Sequence, residues 1–138
     1  MTRTIHRFGD ADWHVPVSPG VDREQAEAAG QLGAGRKFLA QGDGGFYAQV
    51  VRIPPAFDAP VHSHDHPEIF MVLEGSCRFD GQPMERFDMT VVAAHQPYGF
   101  VAGPDGLQFL VVRTAEASFV AATSGEQQDL VTGEERTA

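Results

Sequence analysis

Residues 60–75 read PVHSHDHPEIFMVLEG, and the order of polar and apolar side chains in this stretch decides the rest. His62 and His64 are two residues apart. On a β-strand, side chains two apart share a face, at a rise of about 3.3 Å per residue. Two imidazoles on one face can converge on one ion. Pro67 then breaks the chain, and Glu68 opens the apolar run EIFMVL. If that run pairs antiparallel with PVHSH, Glu68 faces the same point. Two neutral nitrogens and a carboxylate suit one divalent metal ion: Fe, Mn, Zn, Ni or Co. The competing reading is a solvated polar turn. A single histidine deserves that reading; an alternating pair with a carboxylate just past the turn favours a ligand set.

Working outward, the chain is a series of short apolar runs separated by turns. RKFLA (36–40), GFYAQVVRI (45–53) before Pro54-Pro55, PVHSH (60–64) and EIFMVLEG (68–75) read as strands. SCRFDGQPME (76–85) reads as a strand entering a hairpin turn at Asp80-Gly81. MTVVAA (89–94) and YGFVA (98–102) follow. Gly103-Pro104-Asp105-Gly106 is a turn cluster before a last core strand, LQFLVVRT (107–114), with a further element expected near ASFVAA (117–122). Short strands at near-regular spacing indicate an all-β sandwich or barrel.

The expected layout is one domain over residues 1–138. An arm (1–33) precedes a barrel (34–121) and a mobile polar tail (122–138). In the arm, Trp13, Val15 and Val17 alternate as a short edge strand limited by Pro16 and Pro19. Asp22 and Gln25 resemble a capping box, so REQAEAA (23–29) is expected to form about two helical turns, stopped by Gly30.

Composition agrees with a single packed domain. The 138 residues are 42% hydrophobic and 21% charged, which is ordinary for a globular chain. The formal charge of −9 argues against nucleic acid and against anionic membrane surfaces as partners. No stretch reaches the roughly 18 apolar residues of a membrane span. The one cysteine, Cys77, allows no internal disulfide. With no signal-peptide pattern at the N-terminus, a cytoplasmic location is expected. Cys77 itself is expected to pack as a small hydrophobe.

The metal stretch resembles the first motif of the cupin superfamily, G-x5-H-x-H-x3,4-E-x6-G. His62, His64, Glu68 and Gly75 match it at every spacing, with Ala56 in place of the first glycine. Residues 87–98, FDMTVVAAHQPY, lie over the second motif, G-D-x4-P-x-G-x2-H. Asp88 fits. Phe87, Ala93 and His95 replace a glycine, the proline and a glycine, and Tyr98 stands where the motif has its histidine ligand. The resemblance covers about residues 36–114. It implies a double-stranded antiparallel β-helix, the cupin jelly-roll barrel, with a metal inside and often a homodimer. Trp13, Pro16, Lys37 and Leu39 look like those of single-domain cupins near the anti-sigma-factor sensor domains and the acetophenone dioxygenases.

Three readings of the fourth metal position stay open. Tyr98 approaches the metal as a ligand or as a general acid/base. His95 supplies a nitrogen, although three residues is an odd step in a two-residue period. Or water completes the shell and Tyr98 is a packed aromatic. His66 is expected in the turn before Pro67, exposed or bonded to a ligand. His6 and His14 are expected to be unrelated arm residues.

If Glu68 points inward, so do Phe70 and Val72, and Phe100 shares the face of Tyr98. In the last strand either Phe109 and Val111 or Gln108, Leu110 and Val112 point inward. Such a wall admits a small, largely apolar molecule with oxygen groups for the metal. Arg52, Gln49, Tyr47 and Arg113 are candidates to read those oxygens. Two functions follow. One is a metalloenzyme acting on a small oxygen-bearing organic substrate, dioxygenase-like or else an isomerase or cyclase. The other is a non-catalytic small-molecule sensor.

Overall fold

The computed structural model describes residues 3–15, 23–116 and 120–121. Pro16, Val17, Pro19, Asp22 and the expected tail (122–138) lie outside the described residues, as does the side chain of Gln25. The described chain is mostly antiparallel β, with strands β1 (Gly35–Gln41), β2 (Tyr47–Ile53), β3 (Asp58–Ser63), β4 (Glu68–Phe79), β5 (Gln82–Met84), β6 (Met89–Val92), β7 (Tyr98–Arg113) and β8 (Val120–Ala121). Each apolar run from residue 36 onward lies in a strand, whereas the expected edge strand of the arm is reduced, among the described residues, to one bridge at His14. No described helix is long and apolar enough to cross a membrane.

The spine is the β4–β7 ladder, paired from Glu68↔Arg113 to Phe79↔Phe100. Here the expected boundaries need correcting. EIFMVLEG and SCRF form one strand, not two, and the Gly103–Gly106 cluster lies within a continuous β7 instead of ending a strand. Both strands bend at glycines without leaving the ladder. Gly75 has φ +74 and Gly106 has φ +86. A Cβ on Gly75 would run into the Gly106 carbonyl oxygen, so two backbones meet where only a glycine fits.

The bend divides the sheet into two layers. In the first, β1 pairs β2, β2 pairs residues 107–113 of β7, these pair the first half of β4, and β4 pairs β6. In the second, β8 pairs β3, β3 pairs the start of β7, this pairs the end of β4, and β4 pairs β5. Among the described residues these ladders do not close into a ring. The layers face each other through aromatic rings. Phe70 of the first layer stacks on Phe109 at 4.3 Å and meets Phe79 and Phe100 of the second at 5.0 and 5.4 Å. Such pairs add to the area they bury by about 0.5–1.5 kcal/mol each.

Val72, Val111 and Phe109 are fully buried beside them, which settles the register of the last strand. Phe109 and Val111 point inward; Gln108, Leu110 and Val112 do not reach full burial.

The arm departs from expectation in detail. Helix α1 spans Arg23–Gln31 and runs through Gly30. It stops at Gly33, φ +106, where Ala34 N–H bonds Ala29 O and Gly33 N–H bonds Gly30 O. This is a Schellman closure, for which Gly33 supplies the left-handed residue. His14 makes an isolated bridge to Arg36, and His6 pairs with Asp43 at the surface; neither approaches the inner face.

Cys77 packs in the core as expected, and burial pushes its thiol up to about 11 from an ordinary 9.0. A raised acid pKa favours the folded state at low pH, so this contribution is present below pH 9 and is lost as pH rises from 9 towards 11. Folded protein at pH 8 should therefore resist alkylation by iodoacetamide and react fully in urea. Its urea midpoint should fall more steeply between pH 9 and 11 than that of Cys77→Ala.

Candidate metal centre

His62 stands on β3 opposite Tyr98 on β7, in the second layer. The side chains are 0% and 2% exposed, with ring centroids 4.4 Å apart. His64 lies just past the end of β3, in the segment that crosses to the first layer. Its carbonyl accepts the His95 N–H at 2.6 Å, which ties the crossing to the loop before Tyr98. His64 is buried, with its ring 4.9 Å from that of His62.

Glu68 begins β4, 2% exposed, opposite Arg113 of β7. Here the geometry differs from expectation. β4 does not pair with β3, so Glu68 is not placed beside the histidines by a hairpin. It reaches them from the opposite layer. Strand pairing sets His62 beside Tyr98, and packing of the two layers brings Glu68 to His64 and Tyr98.

The polar contacts form one cluster. Glu68 Oε2 accepts the Tyr98 hydroxyl at 2.9 Å, and Oε1 accepts Arg113 Nε at 3.2 Å. His64 Nε2 lies 3.5 Å from Glu68 Oε1 and 3.4 Å from the Tyr98 hydroxyl oxygen. Tyr98 also stacks on Phe79, centroids 5.0 Å apart, which fixes the plane of its ring. Tyr98 is thus a hydrogen-bond partner of Glu68 as well as a packed aromatic.

The other candidates separate cleanly. His95 is exposed, in a left-handed conformation with φ +66, so its side chain does not supply the fourth position. Its contribution is the backbone bond to His64. Arg52 is also excluded as an oxygen reader: its Nε bonds Gly33 O at 2.6 Å and its guanidinium covers Trp13 at 3.9 Å. Tyr47, Gln49 and Arg113 line one cavity of about 170 Å³. His66 is buried in the turn; burial lowers its pKa, opposed by its 2.6 Å bond to Asp65. The role of Arg113 as partner of Glu68 was missed by sequence reasoning. Only the β4–β7 register reveals it.

Among the described residues, no three His, Cys, Asp or Glu side chains form a ready-made metal cage. The donor types nevertheless fit an ion, and so does the spacing of one ligand pair, His64 with Glu68. Ligand bonds of about 2.0–2.2 Å to a tetrahedral ion place donors roughly 3.3–3.6 Å apart. The separations of His64 Nε2 from Glu68 Oε1 and from the Tyr98 oxygen, 3.5 and 3.4 Å, fall in that range.

No protein-family model matches this chain, and no curated protein matches it. Solved structures do. The polyketide cyclase RemF from Streptomyces resistomycificus aligns over 96% of this chain and 92% of its own, with TM-score 0.68 and 21% identity. An RmlC-like cupin from Shewanella frigidimarina NCIMB 400 aligns over 82% and 91%, with TM-score 0.60 and 18% identity. The chain has the cupin fold. A third match is the DMSP lyase DddQ from Ruegeria pomeroyi DSS-3, with TM-score 0.64 and 18% identity over 87% of this chain and 64% of that one. The names of these neighbours span different chemistries, so the fold leaves the activity of this chain to be argued from the site.

The Glu68–Arg113 pair makes a stability prediction. Removing one partner of a buried ion pair leaves an uncompensated charge and costs about 3–5 kcal/mol. In chelator-treated protein, Arg113→Met should lower the urea unfolding free energy by that order, and adding Glu68→Gln should restore much of it. Equal midpoints for wild type and Arg113→Met would show the pair to be energetically idle.

Proposed function

We propose that this cupin is a metal-dependent enzyme that moves a proton on a small oxygen-bearing organic substrate, with His62, His64 and Glu68 holding one divalent ion. The observation that carries the reading is the Tyr98 hydroxyl. It is buried, bonded to Glu68 and 3.4 Å from His64 Nε2. A phenol so placed can give a proton to a substrate oxygen and recover it through the carboxylate.

When bound, the metal supplies Lewis-acid polarisation of a substrate oxygen. The remaining work belongs to the chain. Arg113 holds Glu68 in place through Oε1 and leaves Oε2 to Tyr98. Phe79 keeps the Tyr98 ring in plane, so the hydroxyl proton is presented in one direction. Phe70, Phe100 and Phe109 exclude water beneath the site, which strengthens each of these polar contacts. Isomerisation and cyclisation both need this type of proton transfer, and the likeness to a polyketide cyclase is in keeping with it.

A second reading has its own support. Two histidines and one carboxylate also suit non-haem Fe(II) and dioxygen chemistry. Oxygen uptake separates the two.

The test begins with metal analysis of wild type beside His62→Ala/His64→Ala. About one equivalent in wild type and almost none in the double variant is expected; equal content would remove the site. The loaded protein should then exchange solvent deuterium into the carbon beside the carbonyl of a 1,3-diketone or phenolic ketone. Tyr98→Phe should keep its metal and lose at least about 100-fold in exchange rate, the usual scale for a lost general acid/base. Oxygen uptake by the Fe(II)-loaded protein without deuterium exchange would favour the dioxygenase reading.

A further inference from the structure

The cavity of about 170 Å³ beside the site is lined by Phe38, Ala40, Tyr47, Ala48, Gln49 and Arg113, among others. Arg113 belongs to both places: it bonds Glu68 and it faces the cavity. The cavity therefore adjoins the site through Arg113.

Gln49 is the unusual member. It lies on β2, opposite Val111 of β7 and Phe38 of β1, so its side chain points inward with theirs. It is 2% exposed, and neither its amide oxygen nor its amide nitrogen has a hydrogen-bond partner among the described residues. Buried polar groups are nearly always bonded, because an unmet donor or acceptor loses its bonds to water without compensation. A leucine would fill this position at no such cost. A primary amide offers a donor and an acceptor side by side.

We infer that Gln49 is a specificity residue that binds a flat, one-ring ligand carrying a hydrogen-bond donor next to an acceptor, as in a carboxamide or an enolised ketone. Size sets the ring count. A cavity of about 150 Å³ takes benzene, so this one has room for a single ring. Phe38, Ala40 and Ala48 supply the apolar walls. The ligand's polar edge meets Gln49 in two bonds, and the rest of the molecule extends towards Arg113 and the metal centre. This deepens the function proposed above by naming what the site would accept. It is testable apart from that function, because binding in the cavity can be read with and without added metal.

The experiment measures affinity of three probes by ligand-observed NMR: benzamide, N,N-dimethylbenzamide, which lacks the donor, and benzoate. Wild type, Gln49→Leu and Gln49→Met are compared, each chelator-treated and then with added Zn²⁺. Wild type should bind benzamide at least about tenfold tighter than the dimethyl analogue, as expected for hydrogen bonds made in a desolvated site. In both variants the preference should fall to within about twofold. Both variants should melt no lower than wild type, since the amide serves the ligand and not the fold. Retained preference in the variants would overturn the assignment. So would variants that fail to fold, which would make Gln49 structural. Benzoate binding tightest, and unchanged by either substitution, would also overturn it by placing recognition on Arg113. Loss of Zn²⁺ binding with the Gln49 preference intact would count against the metal centre alone.

Discussion

A carboxylate sealed between two β-layers has to be neutralised or bonded on both oxygens, and much of the centre of this molecule answers that demand. Glu68 is 2% exposed, with Arg113 on one oxygen and Tyr98 on the other. The effective penalty for burying an ion is several kcal/mol, so neither partner is optional. Each sits on the β7 strand, Tyr98 at its first residue and Arg113 at its last. The bend at Gly75 and Gly106 is what returns the two ends of β7 to one place. Without it Tyr98 and Arg113 would lie a strand-length apart and Glu68 could meet only one of them.

The same constraint accounts for the histidines. His62 is set by its pairing with Tyr98, and His64 by the bond from its carbonyl to His95. His64 approaches Glu68 across the seam between layers, with His62 packed on His64 and Tyr98, so a small relative shift changes the donor spacing there. Aromatic contacts across the seam, Phe70 with Phe79 and Phe100, resist that shift. Packing in the core and geometry at the site are one problem here.

How much of this could be read in the sequence depended on the range of the interaction. That His62, His64 and Glu68 turn inward was legible because strand periodicity and a proline break are local, and the match to a known motif drew attention to Tyr98, which is buried with them. The strands were legible as alternating runs. Three things were not. The turn signals at residues 75–76 and 103–106 are real glycine signals, but pairing along the β4–β7 ladder absorbed them as bends. The inward face of the last strand was ambiguous because both Phe109/Val111 and Leu110/Val112 are apolar; register with β2 and β4 decided it. Arg113 as the partner of Glu68 depends on a pairing 45 residues apart in sequence, which no local pattern encodes.

The proposed ion site lies in the seam, on His62, His64 and Glu68. The most direct measurement is a crystal structure of protein loaded with Zn²⁺, with the ion located by its anomalous signal. One strong peak is expected between the layers, about 2.0–2.2 Å from an imidazole nitrogen of each histidine and from a Glu68 oxygen. An empty seam with Glu68 still bonded to Arg113 and Tyr98, or an ion bound elsewhere, would contradict it.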